Sequence, residues 1–444
     1  MQSETQASSA LHHVVIVGGG AGGLELATKL GDSLGRKGKA AITLIDRTRT
    51  HVWKPLLHEI AAGSMNPEKH ELEYMAQAHW HHFRYRLGSM DGIDRAKKEV
   101  YVTPFYDEDG VEVIPRRVFK YDTLVIAIGS TTNDFGIAGA REYSIALDTQ
   151  DQAERFHRRL HNALMRAQTQ VEAVQPGQLE VVIVGAGATG VELAAELHNT
   201  TRELTAYGLD KIDPDKDIKI SLIEASERIL PALPPKLSHA VEAELKKLQV
   251  NLYTGERVTE VTEKGIYTHS GRFIPSELVV WAAGIKAPDF LSNLDGLEAN
   301  RINQLAVRQT LQTTLDDNVF AFGDCAACPW PGHDETVPPR AQAAHQQASL
   351  LIKSIQRRIA GKPLPEYTYR DYGSLVNLGR YSTVGSLMGV VAGGNMYIEG
   401  LFARFMYQSL YKMHLMALHG FFEVLLQTVA RIITRRTEAQ VKLH

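Results

Sequence analysis

Three carboxylates stand where an apolar run ends. Asp46 follows Ala41–Ile45, Glu224 follows Ile220–Ile223, and Asp324 closes Val319–Gly323. An acid at the tip of a buried strand can accept hydrogen bonds from the hydroxyls of a bound ribose. The first two are each preceded by a glycine turn. Residues 14–30 read VVIVGGGAGGLELATKL and residues 181–197 read VVIVGAGATGVELAAEL, identical at twelve of seventeen positions with a constant offset of 167. In the first copy Gly18 permits the turn, Gly20 lets the backbone approach a pyrophosphate, and Gly23 lets helix and strand pack closely. Gly185, Gly187 and Gly190 repeat that spacing. The helix that follows offers its N-terminal N–H groups and positive potential to an anion. Each copy is therefore expected to hold one dinucleotide. Glu224 favours a free 2′-hydroxyl and repels a 2′-phosphate, which selects NAD over NADP, although nearby Arg228 could soften that choice.

These residues need particular elements to position them. Val14–Val17 and Val181–Val184 are β-branched runs feeding helical patterns, as in a parallel sheet with crossover helices. Leu124–Gly129 and Leu278–Gly284 are further apolar strands ending in small residues. The expected fold is α/β, with two Rossmann-like domains, one inserted in the other, and a C-terminal amphipathic helical region. The boundaries read as 1–139 and 301–372 for the first domain, 140–300 for the second, and 373–444 for the tail.

Composition narrows the class. The 444 residues carry 44% apolar and 22% charged side chains with a net charge of −3, which fits a globular chain and gives no reason to expect nucleic acid. Two cysteines exclude a disulfide framework and suggest a reducing compartment. The polar N-terminus does not read as a signal peptide. No uninterrupted apolar run is long enough to read as a membrane-spanning helix.

Two dinucleotide units in one chain suggest a resident flavin and a visiting nicotinamide. The whole pattern resembles the two-dinucleotide-binding-domain flavoproteins and, within them, the bacterial type II NADH dehydrogenases, single-subunit NADH:quinone oxidoreductases. Three stretches carry the narrower resemblance: His51–Glu59 (HVWKPLLHE), Val280–Ala287 (VWAAGIKA) and Arg340–Gln346 (RAQAAHQ). The last is similar to the family's quinone-site AQxAxQ motif.

The resemblance implies hydride transfer from NADH to non-covalent FAD, then two-electron reduction of a membrane quinone without proton pumping. It places Gly18, Gly20, Gly23, Asp46, Lys54, Pro55, Gly129, Asp324, Ala341 and Gln342 at the FAD. Gly185, Gly187, Gly190, Glu192, Glu224, Ala283 and Gly284 fall to the nicotinamide nucleotide. Glu192, Gln342 and Gln346 are the expected catalytic residues. Glu192 would contact nicotinamide and relay protons, but an acid in a first helical turn is also favoured by the helix dipole, and Glu25 holds the matching position in the first copy. Gln342 and Gln346 are four apart and share a helix face, where two amides can bind quinone carbonyls without adding charge. Neighbouring Gln347 reads as solvent-facing. Lys54 is either a cation beside the flavin or a surface lysine. Cys325 and Cys328 lack the further ligands a metal needs, so no metal is expected and the thiols read as structural.

The tail adds a destination. From Leu401 onward six basic residues face two acidic ones, giving +4 against −7 for the remainder. Phe421, Phe422, Leu425, Leu426, Val429, Ile432 and Ile433 oppose Glu423, Gln427 and Arg431, the pattern of a helix lying in a membrane interface. Phe402, Phe405, Met406, Leu410, Met413 and Met416 form a stripe before them. The protein is thus expected to be peripheral, on the cytoplasmic side of the inner membrane, against anionic lipid, and a homodimer. A soluble NADH-dependent reductase of the same superfamily is the alternative. It would not need the AQAAHQ segment or the basic apolar tail.

Overall fold

A computed structural model describes residues 11–378, 383–387, 396–399, 411–434 and 441. From the N-terminus, β1 (His12–Val17) runs into α1 (Ala21–Leu30) and returns as β2 (Ala40–Asp46). A short helix α2 (Leu57–Ala62) precedes strands β3 (Arg84–Leu87) and β4 (Thr123–Ile126). The second nucleotide-type unit then starts with β5 (Ser144–Ala146), α3 (Gln150–Thr169), β6 (Glu180–Val184) and α4 (Ala188–Ala206). It continues through β7 (Lys219–Ile223), β8 (Asn251–Tyr253) and β9 (Leu278–Trp281). The chain returns with β10 (Gln312–Thr313), β11 (Asp316–Ala321) and α5 (Ala341–Ile359). Helices α6 (residues 411–419) and α7 (Phe421–Thr434) lie near the end.

Two sheets result. The first has the order β10-β11-β4-β1-β2-β3, parallel except for the β10–β11 pair, and the second is all parallel with the order β5-β9-β6-β7-β8. Their central strands are buried throughout, Val14, Ile16, Val182 and Ile183 at no more than 1% exposure, as strands covered by helices on both faces require. Helix α3 shows how the sequence sets one of those covers. Thr149 and Gln152 form a reciprocal capping box at its start, and Ala153, Phe156, Leu160, Ala163, Leu164 and Ala167 recur at helical spacing on the buried side.

The chain divides into two compact units with boundaries unlike those expected. One comprises residues 1–51, 71–131 and 286–370; the other comprises 52–70, 132–285 and 371–444. The crossings fall at 131 and 286 instead of 139 and 300. The described residues of the expected third region group with the second unit, as does the segment 52–70. Packing explains the reassignment. Leu57, Ile60, Ala61 and Ala62 bury the apolar face of α2 in its contacts with α3 and α4.

Trp53 ties the tail to this unit. Its ring stacks on Tyr411 at 5.2 Å and on His414 at 5.8 Å, and it is 8% exposed. His70 Nδ1 lies 3.2 Å from the Tyr411 hydroxyl, and Lys412 Nζ donates to Thr428 Oγ1 at 2.7 Å, linking α6 to α7. The expected stripe positions Phe402, Phe405, Met406 and Leu410 lie outside the described residues, as do Arg435 and Arg436. Trp53→Ala should cost about 3 kcal/mol of stability, the usual cost of emptying a buried aromatic site. Hydrogen exchange should show lost protection concentrated at residues 411–434; unchanged protection there would refute the anchoring.

Candidate functional site

In the first unit, Val17 aligns with Ile45 and Ile126, and Ile126 aligns with Ala321, so four chain crossings leave the sheet at one edge. Gly18, Asp46, Ala127 and Phe322 follow those strand ends. The 14–30 helix is close because Gly23 has no side chain: a Cβ there would land on the Gly18 carbonyl oxygen. At Gly20 a Cβ would meet nothing within 4 Å, leaving an open cradle lined by backbone at the start of α1.

Asp46 is fastened to this cradle. Its Oδ2 accepts from Gly19 N at 2.6 Å, and its Oδ1 accepts from Thr48 N and Oγ1 at 2.8 and 2.7 Å. A carboxylate has about four lone-pair sites, so ribose hydroxyls can still be accepted. The Gly19 carbonyl is held from the other side by Tyr74 OH at 2.7 Å and His51 Nδ1 at 2.9 Å. Burial lowers the His51 pKa to about 4, so the ring is neutral and donates through Nδ1. Burial pushes the Tyr74 phenol well up, keeping its proton.

The Gly-Asp turn is built by three further chain segments. Asp324 Oδ2 accepts from Ser130 Oγ at 2.8 Å, beside Gly129, which has φ +73° and open space where a Cβ would stand. Gln304 Nε2 donates to the Asp324 carbonyl at 2.9 Å. Gly323 N donates to Gln347 Oε1 at 2.8 Å, and Gln347 is 2% exposed. The solvent-facing expectation for Gln347 is therefore corrected: its amide anchors the turn to α5, a long-range bond that helical spacing could not reveal. Spacing gives no sign of Ser130, Gln304 or Tyr74, since each acts through a partner distant in sequence, and it marks His51 only as the first residue of the His51–Glu59 stretch.

On α5, Ala341 and Gln342 occupy the first turn, and a Cβ on Gly22 would touch the Ala344 carbonyl, which brings this turn to the N-terminus of α1. Gln346 is committed elsewhere. Its Nε2 donates to the Arg370 carbonyl at 2.8 Å, and its Oε1 accepts from Arg370 N at 3.0 Å. Cys325 and Cys328 are buried, unpaired thiols with pKa pushed up to about 12 by desolvation. Such thiols stay protonated at neutral pH. Among the described residues no cluster of His, Cys, Asp or Glu suits a metal.

The second unit repeats the first cradle. Val184 aligns with Ile223 and Trp281, Gly190 packs against the Gly185 carbonyl, and Gly187 opens onto free space. Glu224 Oε2 accepts from Ala186 N at 2.9 Å and Oε1 from Ser226 N at 2.9 Å, the counterpart of the Asp46 clamp. Arg228 donates to three carbonyls, those of Leu230, Pro231 and Leu233, at 3.3, 2.7 and 2.7 Å. Its guanidinium is occupied by its own loop. Ala283 and Gly284 follow β9, and Gly284 adopts φ +64° beneath the Phe135 ring.

Glu192 is the fifth residue of α4, beyond the first turn, so the helix-dipole account of an acid in that turn is corrected. Its Oε1 accepts from Asn377 N at 2.9 Å, and Oε2 lies 3.7 Å from His58 Nδ1. Burial lowers His58 to about 4, so that ring is neutral. Lys54 Nζ pairs with Asp148 Oδ1 at 3.2 Å, and Pro55 is the middle residue of the short turn Lys54–Leu56 ahead of α2.

Two cradles of this design, each with an acid clamped to its glycine turn, define a protein that binds two nucleotides. Residues 12–348 match the pyridine nucleotide-disulphide oxidoreductase family model, and the chain belongs to that family. Over 98% of its length it is 43% identical to the whole of a type II NADH:quinone oxidoreductase of Haemophilus influenzae. It is 27% identical over 86% of its length to 91% of the Staphylococcus aureus enzyme of that name. The chain is a member of the type II NADH:quinone oxidoreductase family. The fold is shared with an NDH2 structure from Plasmodium falciparum in complex with NADH, at TM-score 0.82 and 18% identity over 98% of this chain and 100% of that one. It is also shared with the sulfide:quinone oxidoreductase of Aquifex aeolicus, at TM-score 0.72 and 18% identity over 96% of each chain.

Glu224→Ala removes a carboxylate that accepts charge-assisted hydrogen bonds, worth about 2 kcal/mol, or roughly thirtyfold in the KM for NADH. NADPH should remain a poor substrate in this variant, because Arg228 is engaged by carbonyls. Efficient NADPH oxidation would refute the role given to Arg228.

Proposed function

We propose that the protein is a respiratory NADH:quinone oxidoreductase that holds non-covalent FAD in the unit bearing Asp46 and receives NADH in the unit bearing Glu224. The observation that carries this reading is the duplicated acid-to-glycine-turn clamp within a chain of this family. Bound flavin supplies the two-electron chemistry that links a hydride donor to a quinone. The open spaces at Gly20 and Gly187 fit the two pyrophosphates, and the Asp324–Ser130 pair fits a ribityl chain.

The residues of the chain bind, orient and manage protons. Glu192, held at one oxygen by Asn377 N, is suited to orient the nicotinamide amide and to carry a proton. Gln342 offers an amide to a quinone carbonyl. Gln346, through its paired bonds to Arg370, supports that helix from behind. With about a hydrogen bond lost, Gln342→Leu should raise the quinone KM about tenfold while NADH still bleaches the flavin at the wild-type rate. The parent reading is tested by oxidation of NADH with and without a short-chain quinone. No acceleration over oxygen would overturn it.

The quinone substrate is lipid-soluble, so the enzyme must reach a bilayer. Among the described residues no helix is long and apolar enough to cross one. Helix α7 instead buries Val424 and leaves Phe421, Phe422, Leu425, Leu426 and Val429 exposed, with Phe422 at 79% and Leu426 at 71%. An exposed aromatic and aliphatic face in a tail carrying +4 favours the interface of an anionic membrane, on the cytoplasmic side. Phe422→Glu with Leu426→Glu should lower binding to anionic vesicles by more than about tenfold, since each side chain contributes roughly 1.5–3 kcal/mol when buried. Turnover of a water-soluble quinone should be retained. Undiminished vesicle binding would refute this contact.

A further inference from the structure

The two repeats carry glutamate at equivalent places, 25 and 192, and only the second has a role in the reading above. Glu25 lies on α1 with its side chain 4% exposed, and its Oε2 is 2.7 Å from His345 Nδ1. A carboxylate removed from water requires a close partner, because an unpaired buried charge costs several kcal/mol. His345 supplies one while keeping contact with solvent, its side chain being 46% exposed. The hydrogen bond that His345 donates to Glu25, together with the charge of that carboxylate, raises the His345 pKa against the opposing effect of burial. The pair therefore joins a buried carboxylate to an imidazole that reaches water.

Its position gives this a use. His345 follows Gln342 by three residues on α5, so the two lie on neighbouring positions of one helix face. Nδ1 faces Glu25, leaving Nε2 on the far edge of the ring. Glu25 is the charged group facing His345 from α1. The neighbours one turn away on its own helix, Ala341, Gln342 and Ser349, are uncharged. Reduction of a quinone consumes two electrons and two protons: NADH, as a hydride, delivers both electrons and one proton, and the second proton comes from water.

We propose that His345 is the acid that delivers this second proton to the quinone oxygen, with Glu25 as the positioning residue that keeps the ring charged and aimed. The Nε2–H bond of imidazolium breaks as the O–H bond of the quinol forms. Neutral imidazole is then reprotonated from solvent at its exposed edge. The inference rests on the quinone role of Gln342.

The donor is the protonated ring, so the quinone step is fast below the His345 pKa and slows as pH rises through it. Removing the charge of Glu25 shifts that fall to lower pH.

The test uses the full-length flavin-loaded protein, its His345→Gln variant and the isosteric Glu25→Gln variant. Flavin reduction by NADH, followed anaerobically, should stay within about twofold of wild type in both. Reoxidation by a short-chain ubiquinone should slow about a hundredfold in His345→Gln, lose its pH dependence, and recover in part with added imidazole. In Glu25→Gln the pH profile should move to lower pH. The His345 ring signal in NMR, assigned by its loss in His345→Gln, should titrate lower as well. A wild-type rate and profile in His345→Gln would overturn the proposal, as would an unmoved profile and ring titration in Glu25→Gln. Should Glu25→Gln lose flavin, the half-exposed His345→Gln decides alone. Wild-type protein that ignores quinone would overturn the parent function, which these outcomes leave distinguishable.

Discussion

The bond on which both nucleotide units depend runs from a strand-tip carboxylate back to the amide of the glycine turn. Asp46 to Gly19 and Glu224 to Ala186 are the same contact made twice. It joins the end of the second strand to the turn after the first, so the recognition of a ribose and of a pyrophosphate is held in one rigid piece. The acid also orients the turn amides, because a charge-assisted bond is shorter and stronger than a neutral one. The remaining lone pairs are left for the ligand.

Around this shared clamp the two copies diverge, and their few sequence differences record why. Position 19 is glycine where its counterpart 186 is alanine, because Tyr74 packs where a Cβ would stand. Position 22 is glycine where its counterpart 189 is threonine, because Phe322 and the Ala344 carbonyl lie against it. Thr189 is exposed. Phe322 and the Ala344 carbonyl thus close the first copy around Gly22, while Gly20, like Gly187, opens onto free space.

The paired glutamates follow the same logic. Glu25 and Glu192 sit at matching helix positions, both buried, yet one faces an imidazole that reaches water and the other faces a main-chain amide and a neutral imidazole. Burial obliges each carboxylate to find partners. The identity of those partners gives each glutamate its own electrostatic setting. A repeated sequence has therefore yielded two different local chemistries.

The sequence by itself determined what depends on short-range spacing. It set the two strand–turn–helix passages, the acids at the strand tips, the parallel sheets, the insertion of one unit into the other, and the apolar face of α7. These signals are local because hydrophobic periodicity and turn geometry act over a few residues. Only the tertiary structure decided which glutamine does what, with Gln347 bonded to Gly323, Gln346 to Arg370, and Gln342 in the first turn beside α1. It also moved residues 52–70 into the second unit, tied Arg228 to its own loop and brought His345 to Glu25. Each of these outcomes is a polar group or an apolar face finding its partner, from a few residues away for Arg228 to 320 for His345 and Glu25. Spacing along the chain carries no record of that choice, which is made by packing.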